Sequence, residues 1–287
     1  MNVLLMLLPA VGWGLLGPVV ARIGGKPANQ IFGTAVGTLL VAAVMTPFYH
    51  PHLSVPTFLA AVLAGSFWVI GQVGQFISFK NIGVSTTMPT STGFQLIGTS
   101  LVGVVIFGEW STIMEKLLGA GGILILIVGI MLTSVTDKPL VAQRTPQKKL
   151  PTILMLLMTT LGYVVYMAIP RGLNHSGLAI FFPEAIGILL AVLVYVFVTG
   201  QQRIIKEPVS WLNIAGGLVF SLGAISYIGS VQANGVNSAF VVSQLAVVIS
   251  TLLGMIWMHE TKTPRELAFT IFGLLLIVSG AVITTVF

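Results

Sequence analysis

The stretch GSFWVIGQVGQFISF carries two glutamines, Gln72 and Gln75, among residues that are otherwise mostly apolar. Spaced three apart, they share one face of a helix, with Trp68 one turn before Gln72. The next stretch, GVSTTMPTSTGFQLIGTSL, adds Thr90, Ser91, Thr92 and Gln95, and a later one carries Asn237, Ser238, Ser243 and Gln244. Trp13 sits between two glycines, and Tyr163, Tyr166 and Tyr227 lie in further apolar runs. An unsatisfied amide in hydrocarbon costs about 4 kcal/mol or more on transfer scales. Gln72, Gln75, Gln95 and Gln244 are therefore expected to line a cavity. Serines and threonines in such helices often serve as packing contacts instead, and Thr90, Ser91 and Thr92 fit either role. Tyr227 and Trp110 read as members of an interfacial belt.

One acid stands apart. Glu184 follows Pro183 in GLAIFFPEAIGILLAVLVYVFV, about one and a half turns into an apolar run. A carboxylate facing lipid costs about 2.5–3.5 kcal/mol even on lenient insertion scales, so it is expected to face the interior. There it is a candidate substrate contact, and a candidate carrier for a coupling proton. The competing reading is an acid near the outer surface, hydrated or paired with Arg171.

Catalysis finds little support. There is no Walker motif, no HExxH and no Ser/His/Asp pattern, and the four histidines lie in loops or at helix ends. Cysteine is absent, so there is no thiolate metal site and no cysteine nucleophile. No metal and no cofactor are expected. What remains is a set of amides, hydroxyls and rings. Amides both donate and accept hydrogen bonds, as sugar hydroxyls do, and Trp or Tyr rings suit the apolar CH faces of a sugar. No Arg or Lys lies mid-membrane, which disfavours an anionic substrate.

The elements that position these residues follow from composition. The chain of 287 residues is 56% hydrophobic and 7% charged, where soluble domains carry about 25% charged residues. Its solvent is largely lipid, and its net charge of +6 is no nucleic-acid signal, because the basic residues are scattered through short loops. A spanning helix needs about 20 apolar residues. Ten runs qualify, at 3–21, 29–48, 57–79, 84–107, 117–135, 151–170, 178–198, 210–230, 236–258 and 266–286. The first reads as a transmembrane helix and not a cleaved leader. Pro89 and Gly93 are expected to break the fourth run and act as pivots.

The longest join is polar and basic and divides the chain into a first repeat (1–135), a cytoplasmic linker (136–150) and a second repeat (151–287). With that linker inside, almost all basic residues fall inside and only Lys116 and Arg171 fall outside. Both termini then lie outside. The segment 99–134 matches 250–285 at one constant offset, with Gly103 over Gly254, Glu109 over Glu260, Gly122 over Gly273 and Gly129 over Gly280. With one residue of slip, Gly83-Val84 matches Gly235-Val236. Glu109 and Glu260 read as solvated helix caps. Five helices per repeat is an odd number, so the second copy enters the membrane inverted. The fold class is thus all-α integral membrane, ten helices in two inverted five-helix repeats, an arrangement typical of secondary transporters with a midplane site.

The block GQVGQFISFKNIGVSTTMPTSTGFQLIGTSLVGVVIFGEW, with NQIFGTAVG and SQLAVVISTLLG, resembles the bacterial glucose uptake proteins of the glucose/ribose porter family, in the drug/metabolite transporter superfamily. The resemblance spans the whole chain. It implies uptake of glucose or a similar monosaccharide across the bacterial plasma membrane, by alternating access, with a proton as a candidate coupling ion. The positions that carry it include Asn29, Gln30, Gln72, Gln75, Pro89, Ser91, Thr92, Gln95, Ser243 and Gln244. Relatives tend to have an amide or small polar residue near Glu184, which makes that residue a cavity contact first and a proton carrier second. The expected site is therefore Trp13, Gln30, Trp68, Gln72, Gln75, Thr90, Gln95, Tyr163, Tyr166, Glu184 and Gln244. The alternatives are an exporter of small metabolites or lipophilic cations and a sugar sensor that moves nothing. The lipid bilayer is the other expected partner; the chain is a monomer or homodimer.

Overall fold

In hydrocarbon a backbone must satisfy its own N–H and C=O groups, and a helix does so within one segment. The computed structural model describes residues 3–49, 52–108, 110–135, 149–173 and 177–286, and every apolar run read above is helical there. The helices are α1 (Val3–Ile23), α2 (Pro27–Tyr49), α3 (Val55–Ile82), α4 (Val84–Val105), α5 (Ile113–Thr133), α6 (Lys149–Gly172), α7 (Gly177–Val198), α8 (Pro208–Leu212), α9 (Ile214–Asn234), α10 (Val236–Ser243), α11 (Leu245–Trp257) and α12 (Pro264–Val286). Among the described residues nine spans are long and apolar enough to cross a membrane. The tenth expected span, α4, has 22 residues, but its buried Ser85, Thr86, Thr87, Thr90 and Ser91 make it too polar to count. The linker read at 136–150 lies outside the described residues, apart from Lys149 and Leu150, which already open α6. Glu109 lies outside them too.

The break falls elsewhere than expected. α4 runs unbroken through Pro89 and Gly93, whereas its counterpart is interrupted where α10 gives way to α11 at Gln244, as the span before it is at Asn213, between α8 and α9. Proline withholds only its own N–H, a loss that one helical turn tolerates when its neighbours pack closely around it. α5 and α12 start on matching capping boxes. Thr112 and Glu115 exchange backbone-to-side-chain bonds of 3.2 Å each way, and Thr263 and Glu266 do the same at 2.9 and 3.2 Å.

Packing contacts run largely between the first five helices and the rest. α3 lies on α6 and α7, and α9 lies on α1 and α2; α1 meets α11 as α6 meets α4; α2 meets α7, α4 meets α11 and α5 meets α12. Glycines let these crossings close to backbone contact. A Cβ on Gly65 would lie 2.0 Å from the Glu184 carbonyl and one on Gly187 1.9 Å from that of Val62, while Gly37 and Gly217 would meet Ile214 and Thr34 carbonyls at 2.4 and 2.3 Å. Between α5 and α12, Gly129 faces Gly273 and Gly122 faces Gly280.

One end of the bundle is stitched by hydrogen bonds. It holds the end of α1, the start of α2, the α3–α4 turn, the linker ends and the start of α9. Here Asn29 donates to Glu207 and Ser210 at 2.6 and 2.8 Å, Asn81 to Thr152 at 3.1 Å, Asn213 to the Gly24 carbonyl at 3.2 Å and Lys149 to the Ser134 carbonyl. We call this the linker end and the opposite one the far end.

Candidate functional site

The close α3–α7 crossing at Gly65 carries Glu184 to the edge of a cavity of about 400 Å³ between the halves, a volume suited to a small ligand. Nine of the expected residues line it: Trp13, Trp68, Gln72, Gln75, Gln95, Tyr163, Tyr166, Glu184 and Gln244. Gln30 and Thr90 do not. Gln30 donates to the Val20 carbonyl at 3.1 Å. Thr90 donates to the Thr86 carbonyl at 2.8 Å and lies 3.3 Å from the Ser134 hydroxyl, the packing role weighed for it.

One wall, built by α3, α4 and α6, is a ladder of amides. The Tyr163 hydroxyl donates to Gln72 Oε1 at 2.9 Å, Gln72 Nε2 donates to Gln75 Oε1 at 2.9 Å, and Gln75 Nε2 donates to Ser91 Oγ at 3.0 Å. Gln95 Nε2 reaches the same serine at 3.1 Å. Each amide has two N–H donors and an oxygen with two lone pairs, so the ladder holds itself in place and still has donors and acceptors left for a ligand.

The facing side is aromatic, with Trp13 from α1 and Phe220 and Tyr227 from α9 meeting Trp68 of α3. Trp13 lies 5.3 Å from Tyr227, and Trp68 lies 4.8 Å from Phe220, with Tyr163 edge-on to Trp68 at 6.5 Å. The indole N–H of Trp13 has no hydrogen-bond partner among the described residues. Gln244 closes the set from the α10–α11 break, where its amide reaches Ser243 Oγ at 3.4 Å and the Phe240 carbonyl at 3.3 Å.

Glu184 is 6% exposed and receives no hydrogen bond from any described residue. Arg171, the expected partner in the surface reading, holds its guanidinium 5.0 Å from the centre of the Phe107 ring. Tyr227 corrects the belt reading, since it lines the cavity against Trp13. The repeat held the signal for this: placing Gly83-Val84 over Gly235-Val236 also places Trp68 over Phe220, Gln72 over Ala224 and Gln75 over Tyr227. Thr92 and Thr99 line the cavity as well, without having been chosen for it. The lining reaches Thr99, Pro170, Gly177 and Ile228, all toward the far end of their helices. A second hollow of about 570 Å³, among Leu5, Leu8, Val41, Leu218 and Leu222, is a largely apolar groove with little to recognise a polar solute.

Comparison with known proteins agrees over the whole length. The family described as sugar transport protein matches residues 4–287. A protein named for sugar uptake in Lactobacillus johnsonii is 46% identical over 100% of both chains. The glucose uptake protein GlcU of Bacillus subtilis is 40% identical over 98% of this chain and 97% of its own. A protein named for ribose uptake in Latilactobacillus sakei is 37% identical over 98% and 97%. A crystal structure of a protein 16% identical superposes with a TM-score of 0.60 over 98% of this chain and 97% of that one, and so shares the fold. With its apolar spans, nine among the described residues, and this match, the chain is a multi-pass helical membrane protein that belongs to the sugar transport protein family.

Proposed function

We propose that the chain is a secondary transporter that takes up a neutral monosaccharide, glucose first among them, by alternating access. The observation that carries this reading is a single cavity with an amide ladder on one wall and aromatic rings on the other. Hydroxyls would bond to the free donors and acceptors of Gln72, Gln75, Gln95 and Gln244, and a CH face would rest on Trp13, Trp68 or Tyr227. Relatives named for glucose and for ribose uptake support the substrate class.

Two inverted halves are our reading of the fold. The support is the packing: the main crossings between the halves have counterparts with the halves exchanged, α3–α6 with α1–α9, α3–α7 with α2–α9 and α4–α6 with α1–α11, down to Gly65–Glu184 beside Gly217–Thr34. The excess of basic residues around the linker supports a cytoplasmic linker end, with both termini and the cavity mouth on the outside. Glu184, an acid inside that cavity with no hydrogen-bonding neighbour among the described residues, is the proposed carrier of a coupling proton.

The test is uptake of radiolabelled glucose into proteoliposomes, with and without an imposed proton gradient, for wild type and Glu184→Gln. Accumulation that needs the gradient and disappears in Glu184→Gln supports coupled uptake. Equilibration that ignores both leaves uptake standing and removes the proton role. The absence of any glucose flux overturns the substrate. The same acid among Tyr166, Trp13 and Tyr227 rings also suits a lipophilic cation, and efflux of such a cation that sugars do not inhibit would favour the exporter reading.

A further inference from the structure

The α3–α4 turn at the linker end has no capping side chain of its own, because the residue there is Gly83. Its place is taken from the other half of the molecule. Glu260, in the loop after α11, accepts the backbone N–H of Val84 at 2.6 Å through Oε1 and that of Ser85 at 2.9 Å through Oε2. The carboxylate is 8% exposed, so the reading of Glu260 as a solvated cap is wrong: it is buried, and it caps a helix 176 residues away. Both partners are shaped for the contact. A Cβ on Gly83 would lie 2.7 Å from Glu260 Oε1, and Gly83 has φ 81°, so glycine is required twice over. His259 holds φ 51°, a left-handed conformation uncommon for a residue with a side chain, which turns Glu260 toward α4. A carboxylate on two N-terminal amides is a charge-assisted pair reinforced by the helix dipole.

The same turn recurs at the far end. Gly235, before α10, has φ 85° and ψ 159°, against 81° and 164° at Gly83. There, among the described residues, nothing lies within 4 Å of the position a Cβ would take. The residue that matches Glu260 in the repeat, Glu109, lies outside the described residues, and the cavity lining extends toward the far end, so the stitched end is the shut one.

We propose that Glu260 is the latch of the linker-end gate: it fastens the second half onto the N-terminus of α4 while that end is shut and lets go when it opens. α4 also carries Ser91, Thr92 and Gln95, so the latch acts on the helix that forms part of the cavity wall. The proposal rests on the transport reading only in requiring that the linker end opens.

The chain has no cysteine, so introduced thiols report alone. Phe79→Cys probes the linker end and Thr99→Cys the far end, each in purified full-length protein labelled with a water-soluble maleimide, with Glu260, Glu260→Gln or Glu260→Ala alongside. Glu260→Ala is expected to raise labelling of Phe79→Cys about tenfold, the scale of one charge-assisted hydrogen bond, and to lower that of Thr99→Cys. Glu260→Gln, which keeps the shape and one acceptor, falls between. Labelling unchanged at both sites, or raised at both together with a lower melting temperature, overturns the latch and leaves Glu260 a helix cap only. The readout needs no sugar, so it stands or falls separately from glucose uptake.

Discussion

Gln75 sits in the middle of the amide ladder, donating to Ser91 and accepting from Gln72. Gln75→Leu keeps the volume and removes both links, leaving neighbouring polar groups unpaired. At about 1–3 kcal/mol for such a loss, the apparent KM for glucose is expected to rise about tenfold or more in initial-rate uptake, with membrane levels unchanged. Tyr163→Phe removes one donor and keeps the ring against Trp68, and its effect on the same assay is expected to be smaller. An amide within an apolar run has few acceptable places other than a cavity, which made Gln72, Gln75, Gln95 and Gln244 legible in the sequence. Gln30 was not legible, because its partner is a backbone carbonyl that any nearby helix could supply. Glu260 was not either, because its partners are two main-chain amides that have no sequence signature.

At the scale of helices, the crossings are set by glycine and not by side-chain fit. A methyl on Gly187 would meet the Val62 carbonyl, a backbone atom that cannot move aside. Gly187→Ala is expected to lower the melting temperature in detergent sharply, at a cost of several kcal/mol, about the 1–3 of an overpacked core or more. Gly121→Ala is the contrast: among the described residues nothing lies within 4 Å of its added methyl, and alanine in a helix is worth about 0.5–1 kcal/mol over glycine, so that variant is expected to melt no lower than wild type. Helix positions were readable from hydropathy because bilayer thickness fixes span length. The break was not: the sequence pointed to Pro89 and Gly93, whereas the interruption falls at Gln244, which carries no breaker residue. The capping boxes at Thr112–Glu115 and Thr263–Glu266, which hydropathy alone does not register, mark both helix starts.

At the scale of the molecule, neither half buries its helices alone. α3 depends on α6 and α7, and α9 depends on α1 and α2. Residues 1–135 and 149–287 produced separately are expected to be degraded, and produced together to restore uptake; stable accumulation of one half alone would contradict the packing. The repeated scaffold carries unequal walls, with Gln72 and Gln75 on one side where Ala224 and Tyr227 stand on the other. A pocket with two equal walls would hold a solute in either of two poses. This one distinguishes front from back, and with Gln244 at its side it also distinguishes left from right. For a sugar bound there the consequence is handedness: the mirror-image hexose can offer its hydroxyls to the amides or its CH face to the rings, but not both at once. L-Glucose in excess is therefore expected to leave D-glucose uptake unchanged.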